Sequence, residues 1–205
     1  VAVNLDHISS LDIFTSTWSN PDLAHLIVSF GFDDGRHVAF SVEIRKERGE
    51  EYTTIGGFFR KYELVLIAAQ ENDVVRVRTN QRVEAVQIFP IALDAQKRRA
   101  LFQSYIDLGN ALAASPQFYN TVTANCTSTV FLLVRQFQPN LPLDRRILLS
   151  GRLPEYLDEL GGLKGDMPMD QRRKVGAITA LAQTIGPDQD YSTFIRTGLP
   201  STLTQ

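Results

Sequence analysis

The sequence predicts an α+β protein, and three observations carry that prediction. Segments 25–32 and 37–45 alternate apolar and polar residues on either side of Asp33-Asp34-Gly35, the pattern of a β-hairpin with its turn. Leu101, Tyr105, Leu108 and Leu112, and later Val130, Phe131, Val134 and Phe137, recur at helical spacing. The strand-like segments come mostly before the helix-like ones, an α+β order rather than an alternating one.

Taken in order, Val1–Asn20 is mixed, and Leu11–Trp18 reads as a short helix or turn. In the first hairpin strand Leu26, Val28, Phe30 and Phe32 make one face, with His25, Ile27, Ser29 and Gly31 on the other. The second strand repeats this, Val38, Phe40, Val42 and Ile44 against His37, Ala39, Ser41, Glu43 and Arg45. Opposed residues in a hairpin share a face, so the two apolar faces must coincide. A three-residue loop at 33–35 then sets His25 opposite Glu43, and one at 34–36 sets it opposite Arg45. Either register leaves Glu43 within a short diagonal of His25. His37 shares that face at the turn end, about 20 Å or more from His25 at about 3.3 Å per residue.

Lys46–Thr54 reads as a charged loop, Glu50-Glu51 included, and Gly56-Gly57 as a break before a buried strand at Leu64–Ala69. Val74–Arg78 and Val83–Pro90 read as further strands with a turn at Asn80-Gln81. Asp94 caps the helix carrying Leu101–Leu112, and Ser115-Pro116 ends it. After the 126–138 helix come a connector at Pro139–Pro142 and a short helix at Pro154–Leu160. An amphipathic helix at Met169–Thr184 and an irregular Tyr191–Pro200 complete the chain. There is no internal repeat, low-complexity tract or linker, so residues 1–205 read as one domain.

A chain of 205 residues with 43% hydrophobic residues can bury a sizeable core. Lysine and arginine number 21 against 23 acids, a net charge of −2, which argues against a nucleic-acid surface. The clusters Arg45-Lys46, Lys97–Arg99 and Arg172–Lys174 are each balanced nearby. A single cysteine excludes an internal disulfide and a cysteine-only metal site. No apolar run approaches the roughly 20 residues that span a bilayer. The chain begins at Val1 with no signal-peptide pattern, which leaves room for a targeting segment or membrane anchor outside this piece. There is no P-loop, no GxGxxG after a strand, no HExxH and no GxSxG. His7, His25, His37 and Cys126 show no ligand spacing within one element. Neither a metal nor a cofactor is expected.

What remains is the stretch FYNTVTANCTSTVFLLVRQF at 118–137. Asn125 is a good N-cap, which puts Cys126 in the first turn of the following helix. There the helix dipole and unpaired N–H groups favour a thiolate, and those same groups could hold an oxyanion. A lone cysteine also fits a small buried hydrophobe, and the polar hairpin face also fits plain solvent exposure. Set against these, a thiol at a helix start and a strand histidine with a carboxylate beside it are the parts of a nucleophile–base–orienter arrangement. One of His25 and His37 can serve the thiol, not both.

The segments AHLIVSFGFDDG, FSVEIRKERGEEY, GFFRKYELVLI, FYNTVTANCTSTV and RILLSGRLPEYLDELGGL resemble the Lnb N-terminal periplasmic domain family, in order from about Leu5 to Pro200. That family is similar to permuted papain-like proteins, in which a strand histidine precedes a cysteine at a helix N-terminus. The resemblance implies Cys126 as nucleophile (asparagine-cysteine-threonine), His25 as base (alanine-histidine) and Glu43 as orienting residue (serine-valine-glutamate). Tyr119, Asn120 and Asn125, the polar residues around the thiol, are expected to bind substrate. His37 matches no fixed position and reads as a hairpin-end residue. Where the family has an aspartate-glutamate-arginine-aspartate run, this chain has Gln70-Glu71-Asn72-Asp73, and Glu71 and Asp73 read as loop acids. The implied activity is a periplasmic acyltransferase or hydrolase acting on an ester or amide of a lipid, lipoprotein or peptide, without a cofactor. The alternative is a binding or scaffold domain that keeps the shape without turnover.

Overall fold

The computed structural model describes residues 3–45, 62–120 and 123–204. The predicted charged loop at 46–54 and the break at Gly56-Gly57 lie outside these residues. Five strands, β1 (Ile8–Thr17), β2 (His25–Phe32), β3 (His37–Arg45), β4 (Glu63–Ala69) and β5 (Ala85–Pro90), form one antiparallel sheet in the order β4-β3-β2-β1-β5. β2 and β3 pair as Ile27↔Ser41, Val28↔Phe40 and Gly31↔His37, the register of a loop at 33–35. Continued toward the strand ends, that register brings His25 level with Glu43.

Of the stretch Leu11–Trp18, residues through Thr17 are strand, not helix or turn, and Trp18 lies just past its end. β1 lies between β2 and β5, and Leu11 and Ile13 join the core on one face while Phe14 joins that on the other, so no apolar–polar alternation marks it. Its inner polar residues are satisfied rather than solvated: Asp12 by Arg196 at 2.7 Å and Ser16 by Glu84.

Helices cover both faces of the sheet. On one face lie α2 (Ala95–Ala114), started by Asp94 as predicted, and α3 (Cys126–Arg135). Leu26, Val28, Phe30, Phe40 and Val42 meet Phe102, Tyr105 and Leu133 there. Phe40 and Tyr105 stack with ring centroids 4.5 Å apart. The other face, polar by alternation, is not open to solvent. Phe14, Ile27, Ala39 and Ile88 pack there with residues of three short helices: α1 (Glu71–Arg76), α6 (Thr179–Ala182) and α7 (Tyr191–Ile195).

Three more expected elements differ. Val74–Arg78 is not a strand. It belongs to α1 and to a π-helical turn at Val77–Gln81, and burial of Val75 in the second core overrides the β preference of its valines. Met169–Thr184 is not one helix. α5 (Met169–Val175) ends where Gly176 meets β5, its carbonyl accepting from Ile88 N–H at 2.9 Å. A Cβ on Gly176 would lie 2.4 Å from the Ile88 carbonyl oxygen. Ile178 N–H then bonds Val86 O at 3.0 Å before α6 begins, so the chain leaves the helix to pair with the sheet edge. Tyr191–Pro200 is not irregular throughout, since it contains α7. The helix expected at Pro154–Leu160 is present as α4 (Leu153–Glu159), and α8 (Ser201–Thr204) follows α7.

Candidate active site

α3 starts at Cys126 because Asn125 caps it. The Asn125 side-chain oxygen accepts from the N–H groups of Thr127 and Ser128, each at 2.8 Å, and Ser128 Oγ accepts from Asn125 N–H at 2.9 Å, a reciprocal capping box. Phe131 and Leu133 pin the helix to the core. Cys126 is thus held at the first helical position, buried at 9% exposure. Its Sγ lies 4.0 Å from Ala24 O and 3.8 Å from Thr127 Oγ1.

His25 opens β2, and the chain before it is tied to a distant loop. Ala24 N–H donates to Ser150 Oγ at 2.8 Å and Ser150 Oγ donates back to Ala24 O at 2.6 Å. Gly151 N–H donates to Asp22 O at 3.0 Å. His25 Nε2 lies 2.6 Å from Ser41 Oγ and 3.0 Å from Glu43 Oε1. Ser41 spends its proton on Glu43 Oε1 at 2.7 Å, so toward the ring it can only accept. That, with the Glu43 carboxylate beside it, fixes Nε2 as a protonated nitrogen, and the ring also shares a hydrogen bond with Cys126. Arg78 donates to the same Glu43 oxygen at 2.8 Å and to Glu84 Oε2 at 3.0 Å.

The charges follow. Burial pushes the Cys126 thiol up, but the His25 hydrogen bond and charge, a Leu26 backbone hydrogen bond and the Thr127 hydroxyl bring it below its ordinary value. Burial pulls His25 down, and Cys126 and Glu43 together outweigh it, taking the imidazole to about 9. Burial pushes Glu43 up, while His25, Arg78 and Ser41 bring it down to about 2. The pair is therefore biased toward thiolate and imidazolium, with Glu43 ionised behind it.

A cleft of about 410 Å³ opens beside His25 and Glu43, lined also by Trp18, Arg78, Arg82, Glu84 and Tyr119. Of the expected binding residues, Tyr119 lines this cleft. Asn120 instead closes its own loop, pairing with Ala124 and accepting Thr123 N–H at 3.0 Å, and the Asn125 oxygen serves the helix cap. His37 pairs with Gly31 at the turn end, outside the cleft. The expectation that several first-turn amides are open for an oxyanion needs correcting: the cap takes those of Thr127 and Ser128, which leaves Cys126 N–H. A second, apolar cavity of about 200 Å³ runs from Thr127 past Val130 and Val134 to Leu26 and Leu157.

Sequence reasoning missed Ser41, Arg78 and Glu84. Ser41 had a signal, since it shares the face of Glu43 two residues away. Arg78 had none while its segment read as strand. Glu71 is no loop acid. It is buried against Ser29 Oγ at 2.6 Å and Arg196 at 2.6 Å. Among the described residues, Asp12, Glu71 and His37 offer ligand atoms within 4.8 Å of one another, at the far end of the face from Cys126. Arg196 bonds both carboxylates there, so a guanidinium already supplies the positive charge. A family model described as the Lnb N-terminal periplasmic domain matches residues 1–151. No curated protein and no solved structure matches the chain.

Proposed function

The chain belongs to the Lnb N-terminal periplasmic domain family, and from that premise we propose a thiol-dependent acyltransferase or hydrolase in which Cys126 is the nucleophile, His25 the base and Glu43 the residue that orients it. The family's description puts the domain in the periplasm. Among the described residues no helix is long and apolar enough to cross a membrane. The observation that carries the reading is the placement of Cys126 at the first position of a capped helix, its Sγ 4.0 Å from the carbonyl that precedes His25, with His25 Nε2 3.0 Å from Glu43 Oε1; the directions in which Cys126, His25 and Glu43 shift one another agree with it. The order of histidine strand before cysteine helix supports a permuted papain-like architecture.

In this reading Sγ adds to the carbonyl carbon of an ester or amide while the thiol proton rests on His25. The Cys126 N–H is the first-turn donor available to the resulting oxyanion. Collapse of the adduct expels an alcohol or amine, which takes the proton from His25 and leaves an acyl thioester on Cys126. Water or an amine then accepts the acyl group. The apolar cavity beginning at Thr127 supports an acyl chain as the transferred group, with the acyl chains of lipids and lipoproteins as candidates.

The test is the pH dependence of Cys126 alkylation by iodoacetamide in the wild type and in His25→Ala. A wild-type thiol titrating well below about 8.5 that moves up and slows several-fold in the variant is the expected result. A slow thiol indifferent to His25 would leave the second reading, a binding domain without turnover, which the burial of Cys126 favours.

A further inference from the structure

The geometry points to Arg78 and Glu84 as positioning residues that hold Glu43 and set the pH range over which Cys126 and His25 exist as thiolate and imidazolium. The inference rests on the catalytic reading above and extends it two residues outward. One oxygen, Glu43 Oε1, receives His25 Nε2 at 3.0 Å, Ser41 Oγ at 2.7 Å and Arg78 at 2.8 Å. Arg78 is buried and its other arm lies on Glu84 Oε2 at 3.0 Å, where Ser16 also donates. Five groups thus alternate in sign along one line: Glu84, Arg78, Glu43, His25, Cys126.

The backbone that presents Arg78 and Glu84 is unusual twice over. Arg78 sits in the π-helical turn Val77–Gln81, a rare conformation that recurs at functional sites. Val83 has φ 54°, a left-handed conformation unfavourable for a β-branched residue. The residue is 63% exposed, so packing of its side chain does not offset the strain. What the bend does is return the chain so that Glu84 N–H bonds Arg78 O at 2.9 Å, locking the two charged residues together. Strain held this way is a marker of a positioned site. A buried ion pair is also a poor way to gain stability compared with an apolar replacement, so its placement against Glu43 asks for another role.

The electrostatic effect has a definite sign. The groups facing His25 are Cys126 from α3, Ser41 and Glu43 from β3, and Arg78, Glu84 and Arg82 from the segment leading into β5, with Tyr119 at the cleft mouth. Arg82, exposed and 3.6 Å from Glu84, contributes least. A fixed positive charge at Arg78 makes protons nearby easier to lose. It therefore lowers both limbs of the profile, thiol ionisation on the acid side and imidazolium ionisation on the basic side. Glu84 opposes it.

The experiment records Cys126 alkylation by iodoacetamide across about pH 4 to 10 for the wild type, Arg78→Lys, Glu84→Gln, the pair Arg78→Met with Glu84→Gln, and His25→Ala. Circular dichroism and melting check the folding of each. Removing the pair's dipole should raise both limbs by about one pH unit, making alkylation about tenfold slower on the acid limb. Glu84→Gln alone should move both limbs down, and Arg78→Lys should keep them near wild type. A merely structural ion pair would alter melting and leave the limbs in place. If His25→Ala shifts the thiol but a folded Glu84→Gln and a folded double variant do not, this inference is overturned and the catalytic reading stands. If the double variant does not fold, unmoved limbs in Glu84→Gln alone overturn it. If His25→Ala has no effect, both fall together.

Discussion

Among the described residues Tyr105 carries the one buried hydroxyl without a hydrogen-bond partner. Its ring earns its place by stacking on Phe40 and meeting Phe30 edge-on at 6.1 Å, while the oxygen sits in an apolar setting near the thiol, with its ionisation pushed up by burial and by Cys126. Tyr105→Phe keeps the ring contacts and removes the idle group, so it should stabilise the protein by about 1 kcal/mol, read as a higher denaturant midpoint with unchanged slope. Ser41 is the opposite case, a small hydroxyl with both its roles filled. Ser41→Ala removes one of the two acceptors on His25 Nε2 and one donor to Glu43, and Cys126 alkylation near neutral pH should fall several-fold with little change in melting. The pairing of His25 with Glu43 was legible in the sequence because a hairpin's parity is written in its alternation. The third donor on Glu43 was not, because Arg78 reaches it from a segment 35 residues away whose valines imitate a strand.

At the scale of elements, α3 and the entry to β2 carry the site. Asn125→Ala leaves the Thr127 and Ser128 amides without their cap and should cost about 1 kcal/mol, with Cys126 reactivity falling as the first turn frays. Gly151 is a backbone position: a Cβ there would lie 1.9 Å from Pro21 O. Gly151→Ala should therefore cost about 1–3 kcal/mol in a chemical melt and push the Ala24–His25 entry out of line, slowing alkylation as well. Elements that bury one face in a regular period, such as β2, β3 and α2, could be read from the chain. β1 could not, because Asp12 and Ser16 interrupt its apolar pattern and are satisfied by Arg196 and Glu84, residues remote in sequence. The break between α5 and α6 was hidden for the same kind of reason: the helical period runs through Gly176, and only the edge of β5 makes leaving the helix favourable.

Across the whole molecule, the second core depends on charge as well as apolar burial. Burial pushes Glu71 up, but Arg196 and its neighbours bring it from 4.5 down to about 2. A carboxyl depressed by folding contributes stability that is complete above its unfolded value and is lost as pH falls through its folded one. Melting temperature should accordingly fall between about pH 4.5 and pH 2, and Glu71→Gln should flatten that slope while lowering stability at neutral pH. The arginine responsible lies far beyond residue 151, where the family match stops. So do Ile178, Ala182, Tyr191 and Ile195, which roof Phe14, Ile27 and Ile88. A polypeptide ending at residue 151 would bare that face and strand the carboxylates of Asp12 and Glu71, and it should precipitate when expressed alone. The residues that complete the second core lie outside the stretch that family likeness recognises, and a boundary drawn where the likeness ends parts Glu71 from Arg196 and Phe14 from Ile195.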